Sequence, residues 1–173
     1  MDISSAKLED VKKLEKLINS AYRGEDSKKG WTTEAEILGG IRVDEEALTL
    51  LITNPNVTIL KLSDTDNKIL GTVCLEVKLH ELYLGMFAVS PVIQGKGIGK
   101  ALLLAAEHHA ILNNCSKIVI SVISTRVELI AWYSRHGYMA TGNSIEFDEI
   151  EGRFGEPKVE GISLIEMEKL LNM

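Results

Sequence analysis

The chain has 173 residues, with 19 Lys plus Arg against 25 Asp plus Glu and a formal charge of −6; its pI is near 5.3. With 45% hydrophobic and 25% charged residues it is no disordered chain, which would bury too little apolar surface to offset conformational entropy, and the length suits one domain over 1–173. The acidic balance speaks against bulk nucleic-acid binding, which needs a basic face, and no apolar run approaches the length that spans a bilayer.

The first pattern along the chain is helical. Leu8, Val11, Leu14, Leu17, Ile18 and Ala21 recur at helix spacing, which predicts a helix over 7–22. Gly24 and a polar run to Lys29 close it. Thr33 with Glu36 three residues later is a capping-box pattern and predicts a helix start. Another helix is predicted over 44–52, stopped by Asn54-Pro55. The period then shortens. Residues 57–62 alternate and are β-rich, and Asp64-Thr65-Asp66-Asn67 is turn chemistry. A strand resumes over 69–79 with Val73, Leu75, Val77 and Leu79 on one face, which makes an antiparallel hairpin. Residues 82–89 are almost continuously apolar, as in a strand covered on both faces. A Gly-rich loop leads to an apolar helix over Ile98–Leu112, a strand over Lys117–Ile123 and a helix over Val127–Arg135 closed by Gly137. Late strands are predicted over 138–141 and 162–167, around a polar loop over 148–161.

This order is that of a mixed α/β sheet with helices on both faces. The strand-helix-strand unit between 82 and 123 makes its two strands parallel. The chain opens Met1-Asp2-Ile3-Ser4-Ser5, without a basic-then-apolar leader. Cys74 and Cys115 sit in apolar stretches without metal-ligand spacing. The expectation is two reduced thiols in a cytoplasmic protein, with no metal site and no membrane partner.

The chemistry concentrates in Gln94-Gly95-Lys96-Gly97-Ile98-Gly99-Lys100, between a buried strand and a buried helix. Glycines there let the chain approach a ligand and present backbone N–H groups at a helix N-terminus, a site that binds phosphate. A dinucleotide fingerprint needs G-x-G-x-x-G, but the spacing is Gly95-x-Gly97-x-Gly99. A Walker A loop needs G-x-x-x-x-G-K-[ST], but Gln94 replaces its first glycine and Ala101 follows Lys100. The pattern met is Q-x-x-G-x-G.

With Leu84-Gly85-Met86-Phe87-Ala88-Val89-Ser90-Pro91 before the loop, and Ala131-Trp132-Tyr133-Ser134-Arg135-His136-Gly137-Tyr138 later, the sequence resembles the GNAT superfamily of acetyl-CoA-dependent N-acyltransferases. The resemblance covers most of the chain. It implies a mostly antiparallel central sheet flanked by helices, with one splayed parallel strand pair. It implies acetyl-CoA as donor, its pyrophosphate held by Gln94, Gly95, Lys96, Gly97, Ile98, Gly99 and Lys100. The backbone of Phe87, Ala88 and Val89 would pair with the pantetheine arm. Tyr133 would protonate the leaving thiolate; a phenol with a pKa of about 10 is a donor at neutral pH. Arg126 stands where many members have Asn, and would reach the cofactor or its phosphates.

The base is less sharply marked. Glu76, His80, Glu81 and Tyr83 are the nearby candidates, and Glu81 is the first choice. Tyr22, Trp31 and Glu34 would receive a cationic amine through ring faces and a carboxylate, with Glu146 and Asp148 adding acidic charge. The expected reaction is direct attack of a small-molecule amine on acetyl-CoA in a ternary complex. The alternatives are a protein or peptide amine as acceptor, or an acyl-CoA-binding regulatory module. Monomer and homodimer both stay open.

Overall fold

The period-two segments assemble into one seven-stranded sheet, and the period-3.6 segments cover both its faces. The computed structural model describes residues 1–172. It contains β1 (Asp2–Ser5), a 3-10 turn (Leu8–Asp10), α1 (Val11–Tyr22), a second 3-10 turn (Glu25–Lys29), β2 (Leu38–Gly39) and α2 (Glu45–Thr53). There follow β3 (Val57–Ser63), β4 (Ile69–Lys78), β5 (Glu81–Val89), α3 (Ile98–Leu112), β6 (Lys117–Ile123) and α4 (Val127–Arg135). The chain ends with β7 (Met139–Glu146), a 3-10 turn (Phe147–Glu149), β8 (Glu156–Pro157) and β9 (Ser163–Leu170). The large sheet has the order β1-β3-β4-β5-β6-β9-β7, and β2 pairs with β8 in a separate ribbon. Among the described residues of the large sheet, only β5 and β6 run parallel.

Each helix forms for a local reason. In α1 the apolar stripe Val11, Leu14, Leu17 and Ile18 is buried against the sheet. In α2 the Asp44 carboxylate accepts the Ala47 N–H at 2.7 Å, and Glu45 and Glu46 sit in the first turn, where the helix dipole favours them. Leu102, Leu103, Ala106 and Ala110 of α3 pack on the opposite sheet face with Leu75, Leu82, Leu84 and Ile118.

The helix predicted to start at Thr33 does not form. Thr33 Oγ1 accepts the Ala35 N–H at 3.0 Å in a single turn. Glu36, instead of closing a capping box, turns outward to Lys28 at 3.0 Å. Leu38 and Gly39 then pair with Pro157 and Glu156. Local side-chain bonds and a distant strand thus outcompete the helix. Three further differences concern strands. β1 was not predicted, β7 extends to Glu146, and Leu79 lies exposed in the β4–β5 turn with φ +54°.

β5 contains the irregularity that matters most. Its register against β4 shifts, so that Cys74 faces Gly85 but Thr72 faces Ala88, and Met86 has φ +43°. Such a bulge exchanges the two faces of a strand. Leu82 and Leu84 belong to the core under α3, whereas Met86 and Ala88 belong to the core under α1 and α2. Phe87 and Val89 consequently face the α3 side. The strand expected to be covered on both faces therefore alternates buried with more open residues, and the buried ones change face at the bulge.

Candidate active site

The parallel pair separates almost at once. Glu81, Leu82 and Tyr83 pair with Lys117, Ile118 and Val119, and no pairing follows. Beyond Tyr83 the β5 backbone has no strand partner on its β6 side. The gap becomes a cavity of about 440 Å³, floored by residues 83–87 of β5 and 119–123 of β6. A second cleft of about 380 Å³ runs past Phe87 and Val89 to the Gly-rich loop, with Trp132, Arg135 and His136 on its wall. Phe87 and Leu129 line both spaces.

The loop is built for backbone donation. Gly95 and Gly97 have φ +83° and +78°, and a Cβ at either would meet nothing within 4 Å. Their conformation, not crowding, demands glycine, and the space above them is open. Gly97 is the N-cap of α3, and no side chain caps that end. The first N–H groups of the helix are therefore available to an anion, as the helix dipole favours. Lys96 and Lys100 are exposed beside them. These residues fit a diphosphate. Ile98 contributes backbone only, since its side chain is buried in the core under α3. Ala88 likewise faces the α1 core.

Gln94 lines the loop cleft and also braces it. Its Oε1 accepts the Trp31 N–H at 2.9 Å, and its Nε2 donates to the Val89 carbonyl at 3.3 Å. The side chain is a strut between Trp31 and the end of β5.

Tyr133 lines the cavity, beside Phe87, which the cavity shares with the loop cleft. Its ring packs against Phe87, Trp132 and Tyr138, with centroids 6.5, 5.2 and 5.4 Å away. The side chain is buried but lines the cavity. Burial lifts its pKa well above 10, and nearby Tyr22 and Tyr138 push the same way. The phenol therefore holds its proton across the neutral and mildly alkaline range.

A model of the Acetyltransferase (GNAT) family matches residues 12–138. The chain belongs to this family. Mycothiol acetyltransferase from Gordonia bronchialis is 27% identical over 139 residues, which are 78% of this chain and 42% of that protein. Spermine/spermidine N(1)-acetyltransferase from Bacillus subtilis is 34% identical over 66 residues, 38% of this chain and 43% of that protein. The chain thus spans less than half the length of these curated relatives. The ribosomal-protein-S18-alanine N-acetyltransferase from Escherichia coli superposes with a TM-score of 0.72 at 16% identity, covering 99% of this chain and 94% of that one. At this identity the likeness concerns the fold, a GNAT fold with its splayed parallel pair.

Within this GNAT fold, several expected site residues have other surroundings. Arg126 does not face the loop. Its Nη1 donates to Glu34 Oε1 at 3.1 Å and its Nη2 to Thr32 Oγ1 at 2.7 Å, while its buried Nε has no hydrogen-bond partner among the described residues. Glu34 is not a free carboxylate, because its other oxygen accepts from Arg23 Nε at 3.3 Å. Arg23 also donates through Nη1 to the carbonyls of Ile41 and Phe154. Glu34 is therefore sandwiched between two buried guanidinium groups and does not receive a cation.

Trp31 lines the loop cleft, 6.4 Å from Trp132, rather than the cavity. Tyr22 does line the cavity, under the Arg42 guanidinium at 5.3 Å from its ring centre. Glu146 and Asp148 line a separate surface cleft.

Glu81 is also displaced from the role expected of it. It sits at the closed end of the strand pair, 3.0 Å from Lys117 Nζ, and accepts the Tyr83 hydroxyl at 3.0 Å. These hydrogen bonds, from Lys117 first and then Tyr83, hold its pKa below the usual carboxylate value. A carboxylate so stabilised and outside the cavity is a poor proton acceptor. The sequence reading missed Arg23 and Arg42, whose roles arise from contacts across the fold. It also missed the Met86 bulge, which leaves no local sequence mark.

Proposed function

We propose that the chain is an N-acetyltransferase that moves an acetyl group from acetyl-CoA to a small primary amine by direct attack. Acetyl-CoA supplies an activated acyl thioester. The reading rests above all on one observation: the cleft at the uncapped N-terminus of α3 and its open glycine loop adjoins the cavity lined by the buried Tyr133 side chain, with Phe87 and Leu129 lining both.

Gly95, Gly97, Gly99 and the first amides of α3 would hold the diphosphate, with Lys96 and Lys100 adding charge. The unpaired backbone of β5 around Phe87 would hold the pantetheine arm as an added strand and present N–H groups to the developing oxyanion. The amine nitrogen forms a bond to the acyl carbon, the carbon–sulfur bond breaks, and the sulfur takes the proton of Tyr133. The amine's own proton leaves through water, because the cavity lining offers no free carboxylate or imidazole. Tyr133 is then reprotonated from solvent, which balances the cycle.

The test is direct. Purified protein is incubated with acetyl-CoA and a panel of amines while free thiol is followed. Amine-dependent thiol release with the matching N-acetyl product supports the reading. Tight acetyl-CoA binding without release for any amine would point to a non-catalytic acyl-CoA module instead.

A further inference from the structure

The whole chain carries a charge of −6, yet the cavity beside Tyr133 is cationic. Arg23, Arg42, Arg126 and Arg153 contribute to its lining, against the single carboxylate of Glu34. Both Glu34 oxygens are already used by Arg23 and Arg126. That buried group of three carries one surplus positive charge, which Glu128 Oε1, 3.9 Å from Arg126 Nε, partly offsets; the Nε itself makes no hydrogen bond among the described residues. Arg153 stands at the exposed rim and is shared with Asp148 at 3.3 Å.

Arg42 stands out. Among the described residues its guanidinium makes no ion pair, and it lies over the Tyr22 ring. Its backbone is fixed in place: Asn19 Oδ1 accepts the N–H groups of Arg42 and Val43 at 2.8 and 3.1 Å, and Asn19 Nδ2 donates to the Val43 carbonyl at 2.9 Å. A half-buried guanidinium that lines a cavity and has no carboxylate beside it is a ready partner for an anion. Leu38, Ile123, Phe147, Ile150 and Phe154 give the lining a broad apolar share.

We infer that the acceptor is a primary amine that itself carries an acid group and an apolar body, its acid received by Arg42 above Tyr22. This rests on the proposed acetyl transfer for its meaning, but not for its test. A polyamine is the opposite of what this lining selects, since the Arg42 guanidinium, which no carboxylate among the described residues neutralises, would repel it. An amino acid with an apolar side chain has the matching chemistry: the carboxylate meets the guanidinium, the side chain meets the wall, and the amine is left for the acyl carbon.

The experiment compares matched acids and amides, leucine with leucinamide and phenylalanine with phenylalaninamide, together with spermidine. Each is titrated by calorimetry into the full chain with coenzyme A present, and each is also assayed for thiol release with acetyl-CoA. The acids are expected to bind at least about tenfold more tightly than their amides, the scale of one charge-assisted contact. Arg42→Met should bring that ratio close to one, and Arg42→Lys should keep part of it. Preference for acids without any thiol release supports this inference while removing the proposed activity. Equal binding of acids and amides, tighter binding of spermidine, or an acid preference that survives Arg42→Met overturns it.

Discussion

Gln94 and Trp31, 63 residues apart, are joined by a hydrogen bond of 2.9 Å from the Trp31 N–H to Gln94 Oε1. The same amide group holds the Val89 carbonyl through Nε2. One side chain thereby ties the connection after α1 to the last residue of β5, at the mouth of the glycine loop. Gln94→Ala removes both bonds, and roughly 1 kcal/mol of stability should be lost. The KM for acetyl-CoA should rise about tenfold while kcat changes little, because the reacting end of the cleft is untouched. Gly30→Ala should produce the same pattern, since a Cβ there would come within 2.6 Å of Gln94 Oε1 and push the side chain off its partners. Steady-state kinetics with varied acetyl-CoA checks both.

Tyr133→Phe removes the donor and keeps the ring stack with Phe87, Trp132 and Tyr138. The kcat should fall by about 100-fold, the lower range for loss of a general acid, with little change in melting temperature. The pH profile carries a second check. A phenol whose pKa is raised above 10 stays protonated as pH rises, so Tyr133 contributes no descending limb below pH 10. Below the acceptor's own pKa, kcat/KM should climb with the fraction of free amine and then level off. A decline between pH 8 and 9 would be inconsistent with Tyr133 as the acid. Glu81→Gln should leave the shape of this profile as it is, because Glu81 is committed to Lys117 and Tyr83.

Much of the molecule was legible because local physics decides it. The stripe of α1 and the limits of α3, β6 and α4 follow from period and end chemistry alone, while α2, expected over 44–52, starts one residue later because Asp44 caps it. The glycine loop was legible for the same reason: Gly95 and Gly97, before the helix, take φ values of +83° and +78° that favour glycine, whereas Gly99 lies inside α3, where a Cβ would come 3.5 Å from Phe87 and Trp132. The acceptor side was not. Glu34 reads as a carboxylate free to receive a cationic amine, and only the folded chain brings Arg23 and Arg126 onto its two oxygens from 11 residues before it and 92 after it. The face exchange at Met86 is equally silent, since a bulge depends on the pairing of β4 with β5 and not on the identity of methionine.

The cysteines bear on whether acyl transfer passes through the protein. Burial pushes the Cys74 thiol up to about 12, with the Glu76 charge adding to it, and burial also raises Cys115. A thiol with a raised pKa supplies almost no thiolate at pH 8 and is a poor nucleophile. Iodoacetamide at that pH should leave turnover unchanged in the native protein, and Cys74→Ala should retain activity apart from a modest stability loss. Intact-mass measurement after mixing with acetyl-CoA should show no acetylated enzyme. Rapid inactivation matched to Cys74 alkylation would contradict direct transfer.

Glu34 offers the sharpest test of how the cavity's charge is held. Its carboxylate lies 3.3 Å from Arg23 Nε and 3.1 Å from Arg126 Nη1, and all three side chains are buried. Glu34→Gln keeps the shape but removes the only negative charge in the group. Two buried guanidinium ions then face each other without compensation, which should cost about 3–5 kcal/mol. Urea unfolding should show this as a lower midpoint with an unchanged slope. Small anions should recover part of the loss by entering the cavity, more in the variant than in the parent, whereas a neutral osmolyte should stabilise both equally. If the midpoint does not move, Glu34 is not the counter-charge that keeps Arg23 and Arg126 in place.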